Sequence, residues 1–220
     1  MRIFIPILFT NFFILLISSS AWATDNTSIT KEIAETAAQV SPLLNGQFIP
    51  ATVNATTADG ETAPLGKLLA DKKTILFFYR GGWCPFCNTQ MGQLKKIEEP
   101  LKALGFQLIG ISTDNVQDLQ KSINKNQLGY QLLSDFNSQI SQAFGLAYFS
   151  SQAVTDRYLS KMDLKNPLQQ NKAGDKRLIL PVPAIYVIDS KGLVQFNYVN
   201  PNYKVRLHEA LLLKAAELVK

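Results

Sequence analysis

Cysteine and histidine are nearly missing from this chain, and each shortage closes off a class of function. Among 220 residues there are two cysteines, Cys84 and Cys87, and one histidine, His208. A zinc site takes about four thiolate or imidazole ligands. Two sulfurs and one remote imidazole do not reach that number, so no metal and no other cofactor is expected. Two cysteines permit a single internal disulfide. Its loop would be too short to restrict the unfolded chain much, so a structural staple explains the pair poorly. Runs of Lys or Arg are absent and the formal charge is only +5, which argues against nucleic acid as a partner. The chain also has no internal repeat and no low-complexity segment.

Long apolar runs are missing too, with one exception at the start. "MRIFIPILFTNFFILLISSSAWATDN" places one cation, Arg2, before an apolar stretch from Ile3 to Ile17, then small and polar residues and Ala21-Trp22-Ala23. This is the order of a secretory signal peptide, with cleavage expected after Ala23. The stretch falls short of the roughly 20 residues that span a bilayer, so no stable membrane insertion is expected once the segment is removed. In a Gram-negative bacterium the mature chain would reach the periplasm, where disulfides persist. Residues 24–42 read as an N-terminal helix or extension, with Ile29, Ile33, Ala37 and Val40 at helical spacing. Residues 43–220 read as a single domain.

Within that domain, buried strands alternate with amphipathic helices. "TILFFY" (Thr74 to Tyr79) and "FQLIGIST" (Phe106 to Thr113) are continuous apolar runs, the mark of strands covered on both faces. Met91, Leu94, Ile97, Leu101 and Leu104 recur at helical spacing, with Pro100 expected to interrupt them. A helix follows Asp114, a candidate N-cap. "YQLLS", "PAIYVID" and "LVQFNYV" read as further strands, the last two as a hairpin, and "YKVRLHEALLLKAAELVK" as the final helix. His208 lies in that helix as a surface or half-buried position. Residues 147–180 read as an irregular insertion, with Tyr148, Phe149 and Tyr158 spread through polar sequence. The pattern predicts an α/β domain in three layers, a central mixed sheet flanked by helices.

The cysteines fall where "TILFFY" has ended and a helix begins, in "FFYRGGWCPFCNTQM". Unpaired N–H groups and the helix dipole make that end positive and favour a thiolate. Pro85 suits a first turn because it needs no N–H partner. Cys87, three residues after Cys84, lies about one turn along the same face, close enough to trade a disulfide. Arg80 either adds positive charge there or is an ordinary solvated cation. A redox-active dithiol explains the pair better than a metal site, an inert bridge or two unrelated thiols. Pro183, opening the strand "AIYVID", is compatible with either a cis or a trans Val182–Pro183 bond.

These residues resemble the active-site segment of peroxiredoxin-like proteins of the alkyl hydroperoxide reductase/thiol-specific antioxidant (AhpC/TSA) family. The resemblance continues through "LIGIST", "YQLLSDFNSQISQAFGL" and "PVPAIYVIDSKGLVQFNYVNPNYKVR", and covers about Leu43 to Lys220. It implies a thioredoxin-like fold and an exported antioxidant oxidoreductase that reduces peroxides through a CxxC dithiol/disulfide cycle. Two positions depart from the family pattern. Aligned on Phe78-Tyr79, Cys87 takes the peroxidatic position and Cys84 replaces the Thr or Ser three residues before it. A helper Arg is replaced by Pro183. Trp83-Cys84-Pro85-Phe86-Cys87 with Pro183 is also similar to thioredoxin itself, and that similarity favours a cis Val182–Pro183 bond. The second function it implies is a periplasmic thiol–disulfide oxidoreductase acting on protein disulfides. The catalytic pair is Cys84 and Cys87 in both readings, with Cys87 attacking and Cys84 resolving in the peroxidase reading and the reverse in the disulfide reading, and with Trp83, Pro85, Pro183 and Arg80 shaping the site. Either substrate, peroxide or protein disulfide, calls for an external dithiol donor of the thioredoxin-like or Dsb type.

Overall fold

The computed structural model describes Met1, residues 31–162 and residues 164–219. The expected signal segment, its cleavage after Ala23 and the start of the extension lie outside the described residues. Within residues 31–42 the helix expected over Ile33, Ala37 and Val40 is replaced by extended chain with one 3₁₀ turn at Ala37–Gln39. The cause is tertiary. Ala34 N–H donates to the Ala147 carbonyl at 3.0 Å, and Phe149 N–H donates to the Ala34 carbonyl at 2.9 Å. Backbone groups that a helix would use are bound to a strand instead, and packing overrides propensity.

In chain order, the elements begin with β1 (Asn54–Thr57), β2 (Thr62–Pro64), α1 (Leu65–Leu69), β3 (Lys73–Phe78), α2 (Pro85–Lys96) and α3 (Glu98–Ala103). Next come β4 (Phe106–Ser112), α4 (Val116–Asn126), β5 (Gln131–Ser134), α5 (Gln139–Ala143), β6 (Ala147–Phe149) and α6 (Gln152–Met162). The chain closes with β7 (Gln169–Gln170), β8 (Lys176–Arg177), β9 (Ile179–Pro181), β10 (Ala184–Ile188), β11 (Val194–Val199) and α7 (Glu209–Leu218). Seven strands form one mixed sheet in the order β11-β10-β3-β4-β5-β1-β2. β3, β4 and β5 run parallel, and β10 pairs antiparallel with β3. Among the described residues, no helix is long and apolar enough to cross a membrane.

The apolar runs are explained by burial on both faces. Ile75, Phe77 and Tyr79 point into one core with Cys84, Cys87, Met91 and Leu94, while Leu76 and Phe78 point into the other with Phe144 and Tyr186. Side chains alternate across a strand, so a central strand feeding two cores loses the polar half of the alternation. Gly110 of β4 makes room for Phe77, because a Cβ there would meet the Phe77 ring at 2.5 Å. Each fully buried Phe or Leu contributes about 1.5–3 kcal/mol of transfer free energy.

Three element boundaries differ from or refine the sequence expectation. The helix after the cysteines breaks at Ile97, between α2 and α3. Pro100 explains this, since it offers no N–H to Lys96 and its ring would clash with that carbonyl. α4 is capped by Asn115, whose side chain accepts the Asp118 N–H at 3.0 Å, and not by Asp114. The last helix starts only at Glu209, with His208 as its N-cap accepting the Ala210 N–H. Ahead of it, Asn202 binds the N–H groups of Lys204 and Val205, a local turn that competes with helix.

The insertion expected to be irregular over residues 147–180 carries β6, α6, β7, β8 and most of β9 among its described residues. β6 pairs with β9, the bridge from Ala34 to Tyr148 ties the N-terminal extension to it, and α6 packs Tyr158 against Leu178 and Leu180. Together these segments form a cap beside the end of the sheet that carries the cysteines.

Candidate active site

The site begins as a loop, residues 80–83, between β3 and α2. The loop is held from below by the end of β4. Thr113 Oγ1 donates to the Arg80 carbonyl at 3.1 Å, and the Asp114 carboxylate accepts the Gly82 N–H at 2.8 Å. Asn88 Nδ2 donates to the Gly82 carbonyl at 2.8 Å from the first turns of α2. At Gly81 and Gly82 the loop passes too close to its neighbours for a side chain. A Cβ on Gly81 would meet the Trp83 indole nitrogen at 2.2 Å, and one on Gly82 would meet the Ser122 hydroxyl at 1.9 Å. Gly81 also has φ of +153°, which favours glycine.

Cys84 is the N-cap of α2, Pro85 its first residue and Cys87 one turn inside, as the spacing predicts. Both cysteines are free thiols and both are buried, 1% and 0% exposed. They are not equivalent. The Cys87 side chain and its backbone N–H both donate to the Cys84 sulfur, and Arg80 and Arg206 add positive charge. Against the cost of burial, these lower the Cys84 thiol from its usual 9.0 to about 6. Burial and the Cys84 anion push the Cys87 thiol well up. The setting thus favours the thiolate at Cys84 over one at Cys87.

Arg80 is not a solvated cation. It is 2% exposed and lies over the ring of Tyr203 at 4.0 Å, Trp83 at 5.1 Å and Tyr158 at 5.4 Å. It donates to the Tyr158 hydroxyl. No carboxylate pairs with it among the described residues, so aromatic faces and the Cys84 sulfur balance its charge. Trp83 packs against Tyr158 with ring centroids 4.6 Å apart. The Val182–Pro183 bond is trans, contrary to the cis expectation. Pro183 is buried one residue before Ala184, which pairs with Phe78, so it stands beside the end of β3. A trans proline is compatible with that place, because it opens β10 before the ladder needs its N–H.

Four functional groups escaped the sequence. Arg206 Nη2 lies 3.5 Å from Cys87 Sγ, delivered by the loop before α7. Tyr203 comes from the same loop, and Tyr148 and Tyr158 from the cap. The signal for the last two was present, as aromatic residues in an otherwise polar insertion. Arg206 had none, being 119 positions from its sulfur. A cavity of about 400 Å³ opens beside this cluster, lined by Arg80, Tyr148, Arg157, Tyr158, Arg177 and Tyr203 among others.

Fold and site together define a thioredoxin-fold protein with a dithiol at a strand-to-helix junction. The chain belongs to the AhpC/TSA family, whose pattern residues 46–197 match. It is 36% identical over 75 residues to a putative peroxiredoxin bcp of Haemophilus influenzae, a match covering 34% of this chain and 48% of that protein. It is 30% identical over 107 residues to peroxiredoxin Bcp of Escherichia coli, covering 49% of this chain and 67% of that one. Solved structures share the fold at lower identity. Peroxidoxin BcpB of Mycobacterium tuberculosis gives a TM-score of 0.60 at 19% identity, covering 80% of this chain and 97% of that one. Reduced Prx3 of Vibrio vulnificus in complex with H₂O₂ gives 0.63 at 18% identity, with the same coverage.

Proposed function

We propose that this protein is an exported thiol-dependent peroxidase in which Cys84 attacks and Cys87 resolves. The observation that carries the reading is the asymmetry of the pair, with Cys84 at the N-cap of α2 and Cys87 inside the helix, a setting that lowers the Cys84 thiol and raises that of Cys87 and reverses the order implied by the family alignment. The Cys84 thiolate attacks the distal oxygen of a hydroperoxide. The O–O bond breaks, the alcohol or water leaves with a proton, and Cys84 becomes a sulfenic acid. The Cys87 thiol then displaces water from that sulfur and forms the Cys84–Cys87 disulfide. An external dithiol, taking the two oxidising equivalents, returns the pair to its reduced form. Arg80 and Arg206 hold the thiolate charged and meet the negative charge that develops on the departing oxygen.

Family membership and the names of the relatives support a peroxide as the substrate. The protein-disulfide reading loses support on two counts. The cis proline on which it leaned is absent, and an attacking sulfur that is 1% exposed is reached far more readily by a small peroxide than by a folded partner. Export rests on the signal-like N-terminus alone, and cell fractionation with N-terminal sequencing beginning at Thr24 would support it.

Stopped-flow consumption of hydrogen peroxide by the reduced protein tests the chemistry. Wild type should outpace free cysteine by about a thousandfold or more at neutral pH, in the range ascribed to preorganised sites. Cys84→Ser should fall to the free-thiol background. Cys87→Ser should react once and leave a sulfenic acid that dimedone traps at Cys84. A sulfenic acid trapped instead at Cys87, in Cys84→Ser, would reverse the assignment of the two sulfurs. Wild type no faster than free cysteine would remove the peroxidase reading altogether.

A further inference from the structure

We infer that the cavity beside the dithiol is a carboxylate subsite, which binds a small organic anion whose other end reacts at Cys84. The inference rests on the peroxidase reading above for one of its two arms and is independent of it for the other. Three arginines, Arg80, Arg157 and Arg177, line the cavity against one carboxylate, Glu35, and Glu35 already accepts the Lys172 N–H at 3.1 Å. Arg80 and Arg177 each keep a buried Nε–H with no acceptor. Such donors are costly unless satisfied. Arg177 is aligned by Asp175, which binds its Nη2 at 2.7 Å and leaves Nε unused. A planar carboxylate fits guanidinium donors of this kind in geometry and in charge.

The walls are aromatic, Tyr148, Tyr158 and Tyr203, so the body attached to the carboxylate is apolar or aromatic. The floor is Arg80, whose charge also acts on the Cys84 sulfur. Arg80 is thus shared between the cavity and the reactive sulfur, and couples a ligand held in the one to the chemistry of the other. The lining comes from the cap and from the loop before α7, and Arg80 alone belongs to the loop after β3. Selectivity thus resides in segments added around the sheet.

The carboxylate has two possible sources, and they are chemically distinct. It belongs either to the hydroperoxide, which oxidises Cys84 as written above, or to a thiol reductant. In the second case two thiols reduce the Cys84–Cys87 disulfide, become one disulfide and return two protein thiols.

Calorimetry with hexanoate and hexanamide tests the site without turnover. Wild type should bind hexanoate at least about tenfold more tightly than hexanamide, the worth of one charge-assisted hydrogen bond. Arg177→Gln should lose that preference, and Arg157→Gln, at an exposed position where a substitution disturbs little packing, should weaken it. Equal binding of the two probes, or an undiminished preference in Arg177→Gln, overturns the subsite. Two rate ratios then identify the source: the hydroperoxide of isocaproic acid against that of its methyl ester, and mercaptopropionate against mercaptoethanol as reductant. The arm whose preference for the anion disappears in Arg177→Gln names the ligand. If neither arm prefers the anion, the inference fails. Preference in the reductant arm with no peroxide consumption leaves the subsite standing and removes the peroxidase reading.

Discussion

The sheet and the cap are built on opposite terms, and the site lies on the seam between them. The sheet's two cores hold long runs of buried apolar side chains, among them Ile75 to Phe78 and Ala184 to Ile188. The cap closes over small clusters, one made of Ala147, Phe149 and Ile179 and another of Tyr158, Leu178 and Leu180. The sheet supplies the strand-to-helix junction that places the sulfurs. The cap supplies Tyr148, Tyr158 and Arg177, which decide what approaches them. Chemistry is thus tied to the rigid part and selection to the lightly packed part, where sequence change costs less stability.

Mutations can break that comparison. The largest effect is expected at the junction, where Cys84→Ser should abolish peroxide reduction while leaving the circular dichroism spectrum intact. In the core beneath the sheet, Phe144→Ala removes a ring packed 4.8 Å from Phe78 and 5.3 Å from Tyr186, and should cost about 3–5 kcal/mol by denaturant unfolding. Phe149→Ala in the cap should cost only about 1–2 kcal/mol, since its small cluster has little to lose. Equal costs for the two would show that cap and sheet are equally well packed and unfold as one unit.

Smaller effects sharpen the electrostatics. Arg80→Gln should raise the pH midpoint of Cys84 alkylation by iodoacetamide, which lies near 6 in the wild type. Arg206→Gln should raise it less, because Arg80 acts on that sulfur more strongly. A larger shift from Arg206→Gln would transfer the main role to the loop before α7.

A further effect is in stability against pH, and its sign differs between the two sides of pH 6. Cys84 is lowered to about 6 from its usual 9.0. Its contribution is complete above about 9 and is lost as pH falls through 6. Burial raises Asp114 and Asp135 from 3.8 to about 6, so their contribution is present below about 4 and lost as pH rises through 6. The thermal midpoint of the reduced protein should therefore pass through a minimum near pH 6. In Cys84→Ser the rise on the alkaline side should vanish while the fall on the acid side remains.

Much of the sheet was legible because burial on both faces leaves a plain mark, the unbroken apolar runs Thr74 to Tyr79 and Phe106 to Thr113. The break ahead of Pro100 and the place of Pro85 were legible for a similar reason, since proline's constraints act locally. Asp114 was misplaced as a helix cap. Locally it satisfies the rules for one, and only the approach of Gly82 in space gives its carboxylate another donor. The helix expected through Ile33 and Ala37 failed in the same way, as the partner strand at Ala147 to Phe149 is more than a hundred positions off.

The dithiol, its strand-to-helix setting and the alternation of strands and helices can be read along the chain, because each depends on neighbours within a few residues. Only the folded arrangement makes the two sulfurs unequal, lowering the Cys84 thiol and raising that of Cys87. It also decided that Arg80 is buried among three aromatic rings, that Arg206 reaches Cys87, and that three arginines line one cavity. Those depend on burial and on charges brought from distant parts of the chain, and electrostatics follows distance in space.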